Sequence, residues 1–223
     1  MFLDSFRNIK PISISLSPNT ERDDVWLAFK LLFGWWSAKN DGLMVEKLEE
    51  EFRKELGVKY AIAFNSGRSS LMAILNSLEI EKGSEILLQA FTCNAVPNPV
   101  LWSGLKPIFV DCDEKTFNIN PDNLKRKITP QSKAVIVQHT FGLPADLDEI
   151  SKICKENNLI LIEDCAHSLG AIYKGKKVGM FGKASFFSFS RDKVISSVYG
   201  GMVATNDEGL AQKLKQKQKK DGA

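Results

Sequence analysis

The sequence has only two histidines and no CxxC pair among its four cysteines, Cys93, Cys112, Cys154 and Cys165. That scarcity argues against a zinc cluster and gives no support to a disulfide framework, so reduced thiols and no bound metal are expected. No GxGxxG occurs, and GxxxxGK[ST] fails at its last position, because Lys177 follows Gly170–Lys176 where a hydroxyl residue is required. The nucleotide-binding loops of dehydrogenases and P-loop enzymes are therefore absent. Charge of one sign is also scarce: 30 Lys and Arg stand against 27 Asp and Glu, a net charge of +3. So small and dispersed a surplus does not suggest a nucleic-acid partner. Lys213, Lys215, Lys217, Lys219 and Lys220 read as a solvated helical face. The longest uncharged stretch, Ile86 to Leu105, is interrupted by Gln89, Asn94, Pro97, Asn98 and Pro99, a poor membrane span. The opening MFLDSFRNIK lacks a positive segment followed by an apolar one, so no signal peptide is indicated and a cytoplasmic location is expected.

What is present is an ordinary globular composition: 223 residues, 43% hydrophobic and 26% charged. That is enough for one large domain or one and a half, with a substantial core. Residues 1–20, with Pro11, Pro18 and scattered serines, read as an extended arm, and Val25–Phe33 as a short helix closed by Gly34. Residues 1–33 are thus taken as arm and helix, and 34–223 as the main domain. Val45, Leu48, Phe52 and Leu56 recur at helical spacing before Gly57, predicting a surface helix with one buried stripe. Short apolar runs then alternate with helical segments. Strands are predicted at Tyr60–Phe64, Glu85–Gln89, Pro107–Val110, Ala134–Gln138, Leu159–Ile162, Ala184–Phe189 and Met202–Thr205. Helices are predicted at Ser69–Leu78, Asn94–Trp102, Pro121–Ile128, Leu147–Asn157 and from Glu208 to Lys220. The pattern is that of an α/β protein whose parallel sheet is covered on both faces.

Ligands of open parallel sheets bind beyond the carboxyl ends of the strands, so the residues after each apolar run carry the chemical information. Asn65-Ser66-Gly67-Arg68-Ser69-Ser70 precede a helix whose free N–H groups favour an anion. The same residues also serve as a plain helix cap. Glu163-Asp164-Cys165-Ala166-His167 end an apolar strand. Successive strand residues face opposite sides, so Glu163 and Asp164 cannot share one site. Either acid could simply meet solvent, and His167 could be a satisfied loop histidine. Ser188–Gly201 is rich in small residues, and a partly desolvated Lys193 there could act as an amine nucleophile. Together, an anion-binding helix start, an acid on an inner strand and a later lysine meet the needs of pyridoxal phosphate. Its phosphate needs N–H and hydroxyl donors, its ring nitrogen an acid, and its aldehyde an amine. Phe91, after Glu85–Gln89, is placed to stack on the ring.

The segments YAIAFNSGRSSLMAIL, FTCNAVPNPVLWSGLKPIFVDCD, LIEDCAHSLGA and FFSFSRDKVISSVYGGMVATND resemble, in order and spacing, the DegT/DnrJ/StrS sugar aminotransferases. These are fold type I pyridoxal phosphate enzymes with a three-layer α/β/α large domain and a mostly parallel central sheet. The resemblance implies that Lys193 holds the cofactor as a Schiff base and serves as acid and base of the proton shift. Asp164 pairs with the ring nitrogen, and His167 lies near the ring hydroxyl. Ser188 and the backbone of Gly67, Arg68 and Ser69 hold the phosphate, and Phe91 stacks. It further implies a homodimer that moves an amino group, commonly from L-glutamate, to a nucleotide-linked keto sugar by a ping-pong route. Lys193 speaks against the family's dehydratase branch, where histidine is expected. The chain departs from the family at Gly67-Arg68-Ser69, commonly Gly-Thr-Ala. It departs also at Asp192-Lys193-Val194 and Val198-Tyr199-Gly200-Gly201, commonly Thr-Lys-Asn and Gly-Glu-Gly-Gly. The family's smaller C-terminal domain is expected to be absent. These departures support a second reading, a non-catalytic relative acting as a binding or dimerisation module.

Overall fold

Strands with consecutive apolar residues have no face fit for water, and this chain sandwiches them between helices. The computed structural model describes residues 22–34 and 42–221; the predicted arm lies outside them. In chain order the elements are α1 (Arg22–Gly34), α2 (Leu43–Leu56), β1 (Tyr60–Phe64), α3 (Gly67–Ser77), β2 (Glu85–Gln89), α4 (Pro97–Trp102) and β3 (Lys106–Val110). There follow α5 (Pro121–Lys127), β4 (Ser132–Gln138), α6 (Leu147–Glu156), β5 (Ile160–Asp164), β6 (Ile172–Tyr173), β7 (Lys176–Lys177), β8 (Ala184–Ser188), β9 (Gly201–Thr205) and α7 (Glu208–Asp221). A seven-stranded sheet has the order β1-β9-β8-β5-β4-β2-β3, and β6 and β7 form a separate hairpin. The pairs β3–β2–β4–β5–β8 are parallel, whereas β9 runs antiparallel to both β8 and β1. The sequence predicts this strand without its reversed direction.

Strand alternation sorts the side chains into two cores. Leu87, Val135, Val137, Leu161 and Phe187 pack with Phe52 and Leu56 of α2, Leu124 of α5 and Ile150 of α6. Ile86, Leu88, Ala134, Ile136, Ile162 and Phe186 pack on the other face with residues of α3, α4 and α7, such as Ile74, Val100 and Leu214. Burying each of these large apolar side chains contributes about 1.5–3 kcal/mol. The result is the expected three-layer α/β/α arrangement. Among the described residues, no helix is long and apolar enough to cross a membrane.

Several predicted boundaries move for identifiable reasons. Pro97 occupies the first turn of α4 and sets its start, so the helix does not begin at Asn94. In α2 only Phe52 and Leu56 are buried; Val45 and Leu48 remain exposed, so the predicted stripe is half realised. β5 runs on through Glu163 and Asp164 rather than stopping at Ile162, because both carboxylates are buried against partners.

Both sheet margins are blunted. At the free side of β1, the Glu49 carboxylate of α2 accepts the Ala63 N–H at 2.8 Å. The Gln218 amide of α7 donates to the Ala63 carbonyl at 2.9 Å. At the other margin, β3 carries Pro107, which has no N–H to offer.

Candidate functional site

The residues beyond the strands' carboxyl ends enclose a cavity of about 610 Å³. Its walls follow from the alternation above. Gln138, Asp164, Phe186 and Ser188 share strand parity with Ile136, Ile162 and Ala184, so all four face the α3 side and line the cavity. Glu163, one residue out of phase, points to the opposite face, as the sequence requires.

Ser66 caps α3, its hydroxyl accepting the Ser69 N–H at 3.1 Å. The first turn beyond it, Gly67 and Arg68, lines the cavity. Gly67 permits close approach to β8: a Cβ there would lie 2.9 Å from Ser188 Cβ. Gly201 has the same duty, since its added Cβ would lie 2.6 Å from the Gly67 nitrogen. Small residues thus seat the helix start directly over the ends of β8 and β9.

Asp164 is 3% exposed. Burial pushes its carboxyl up to about 6, against the opposing pull of the Ala166 N–H on Oδ1 and the charge of Lys193. Lys193 Nζ lies 2.8 Å from His167 Nε2 and 3.0 Å from Asp192 Oδ2, on a side chain only 13% exposed. Burial and then the neighbouring ammonium hold the His167 imidazole below the ordinary histidine range. Asp192 is pulled down to about 2: burial opposes this, but the Ser190 hydroxyl and the Lys193 ammonium outweigh it. Phe91 reaches the cavity between Phe117 and Phe141, and the Phe141 ring lies nearly parallel to His167, 6.1 Å away.

The structure therefore brings Gly67, Arg68, Phe91, Asp164, His167, Ser188 and Lys193 to one cavity. Ser69 is the exception. Its N–H and hydroxyl are engaged inside the turn with Ser66 and Asn65, and Ser66 lines the wall in its place. Sequence reasoning also missed Gln138, Thr140 and Tyr199, which line the cavity. The first two follow the apolar run Ala134–Val137 and were open to the strand-end rule.

A profile of the DegT/DnrJ/EryC1/StrS aminotransferase family matches residues 28–220. The GDP-perosamine synthase of Escherichia coli O157:H7 is 39% identical over 176 residues, covering 79% of this chain and 48% of that protein. Among solved structures, Helicobacter pylori PseC, an aminotransferase involved in the biosynthesis of pseudoaminic acid, superposes with TM-score 0.84 at 30% identity, over 94% of this chain and 56% of that one. The E. coli GDP-4-keto-6-deoxy-D-mannose-3-dehydratase with bound hydrated PLP superposes with TM-score 0.81 at 31% identity, over 91% and 54% of the two chains. The chain spans about half the length of the curated relatives it matches.

Proposed function

The chain belongs to the DegT/DnrJ/EryC1/StrS aminotransferase family, and on that premise we propose that it binds pyridoxal phosphate and transfers an amino group from an amino acid, L-glutamate in the first instance, to a nucleotide-linked keto sugar. The observation that carries this reading is the convergence of three unlike groups on one cavity. They are the amine of Lys193, the buried carboxylate of Asp164 and the glycine-bounded start of α3. This donor set fits the cofactor part by part: amine for the aldehyde, acid for the ring nitrogen, helix N–H groups and the Ser188 hydroxyl for the phosphate.

When bound, the cofactor supplies an electron sink for the carbon that loses its proton. Asp164 keeps a proton on the ring nitrogen, because its buried carboxylate is stabilised by a cationic N–H partner. Lys193, whose amine lines the cavity, would hold the cofactor through its aldehyde and would serve as the acid and base that moves the proton. His167 Nε2 accepts a hydrogen bond from the Lys193 ammonium and restrains that amine at the cavity wall. Phe91, which lines the cavity, would stack on the cofactor's ring and keep water from one face. The exposed aromatic rim and the apolar surface of α1, with Val25, Trp26, Leu27, Phe29 and Leu32, support a homodimer that closes the cavity.

The test is spectroscopic. The purified chain with pyridoxal phosphate is expected to show a visible absorbance band that Lys193→Ala abolishes. L-glutamate should bleach the band, and a nucleotide-linked keto sugar should restore it. No band in the parent chain, or an equal band in the variant, leaves the non-catalytic module as the better reading.

A further inference from the structure

On the face of β5 opposite the cavity lies a fully buried group that the proposed reaction does not touch. Glu163 has 0% exposure. Its Oε1 accepts the Phe181 and Gly182 N–H groups at 2.6 and 2.7 Å, and its Oε2 accepts the Gly179 N–H at 2.7 Å. Backbone N–H groups can only donate, so these three partners require an acceptor at both oxygens. The fourth partner is His139 Nε2, 3.2 Å away and equally buried. The other ring nitrogen, Nδ1, accepts the Ala145 N–H at 3.2 Å. That contact places the ring proton on Nε2, aimed at Glu163. Glu163, His139 and Cys165 bring potential ligand atoms within 4.8 Å of one another. Both carboxylate oxygens accept N–H groups, Nδ1 accepts the Ala145 N–H and Nε2 donates to Glu163, so every ligand atom of the Glu163–His139 pair is engaged and the cluster is a hydrogen-bonded lock and not a metal site.

The lock grips the floor of the cavity from behind. The His139 N–H donates to the Asp164 carbonyl at 3.2 Å, so one residue holds β5 twice: at Asp164 by backbone, at Glu163 by side chain. The next residues form a short turn, closed by the Gly142 N–H on the His139 carbonyl at 3.3 Å. From it Thr140 and Phe141 enter the cavity wall, and Phe141 lies along His167. We infer that His139 is a positioning residue: from outside the cavity it fixes the Asp164 carboxylate and the Phe141–His167 pair that face the cofactor.

This inference rests on the pyridoxal phosphate reading, and the experiment separates the two. The parent chain, His139→Ala and His139→Gln are loaded with pyridoxal phosphate. Far-UV circular dichroism, the maximum of the visible band and the rate of cofactor loss on dilution are recorded. Gln retains a donor at the ε position. His139→Ala is expected to keep the parent's dichroism, shift the band maximum and release the cofactor roughly tenfold faster. His139→Gln is expected to recover most of both losses. Unchanged release and an unchanged maximum in His139→Ala overturn the inference, even where its melting temperature falls. If His139→Ala does not fold, His139→Asn replaces it, since Asn cannot reach Glu163; release as slow as the parent's then overturns the inference. A parent chain without a band overturns the cofactor reading, and this inference with it.

Discussion

Lys193 Nζ donates to His167 Nε2 across 2.8 Å, a contact an ammonium can make only with an unprotonated ring nitrogen. The two histidines of the chain make the consequence easy to read by NMR. His167 is expected to titrate below the ordinary value of 6.5, because burial and then the Lys193 charge disfavour its cation. Lys193→Met removes the second cause and should move the midpoint upward. A midpoint that stays put would mean that the two side chains do not meet in solution.

Asp164 works against stability while the site is empty of cofactor. Its folded-state value of about 6 lies above the ordinary 3.8. Between those values the folded chain binds the proton and the unfolded chain does not. The cost of the buried charge is therefore full above pH 6, shrinks as pH falls through the window, and is gone below 3.8. About two pH units correspond to roughly 3 kcal/mol at most. Asp164→Asn is expected to gain stability of that order at pH 7–8 in urea unfolding without cofactor, with the gain vanishing toward pH 4. The same variant should bind pyridoxal phosphate more weakly than the parent.

Arg68 lines the cavity at the start of α3, where a phosphate dianion would meet it. Arg68→Thr, which restores the residue common in the family, should weaken pyridoxal phosphate binding by about 1 kcal/mol, roughly fivefold. Pyridoxal, which lacks the phosphate, should bind both forms equally. High salt should shrink the difference. An equal loss for both ligands would show that the guanidinium acts on something other than the anion.

Val198 sits at φ +69° beside Tyr199 of the cavity wall, a conformation that costs a β-branched residue about 1–2 kcal/mol. Glycine adopts it freely but loses more chain entropy on folding. Val198→Gly is therefore expected to stabilise the chain by about 0.5–1 kcal/mol, a melting temperature rise of roughly 1–4 °C. A fall in calorimetry would contradict the strained geometry.

Much of the fold was legible because local and global preferences agree. Glu85–Gln89 reads as a buried strand from its Ile-Leu-Leu centre, and all three are buried on both faces of the sheet. Where charge interrupts an apolar run, the reading stops short. β5 continues into Glu163 and Asp164 because donors from Gly179, Phe181 and Gly182, far along the chain, satisfy Glu163. Nothing near Glu163 in sequence announces them. The β6–β7 hairpin was overlooked although Lys174 and Gly175, both at positive φ, are the turn pair that such a hairpin demands. In the site, the turn expected to meet an anion borders the cavity through Ser66, Gly67 and Arg68. The choice between Ser66 and Ser69 depends on which hydroxyl caps the helix, and only the folded backbone decides that.

At Ala63 two side chains from α2 and α7 impersonate a neighbouring strand, answering its N–H and its carbonyl in turn. A foreign peptide seeking to zip onto that border would have to evict both helices first. With proline interrupting the opposite border, the sheet is guarded on both sides against runaway edge-to-edge stacking.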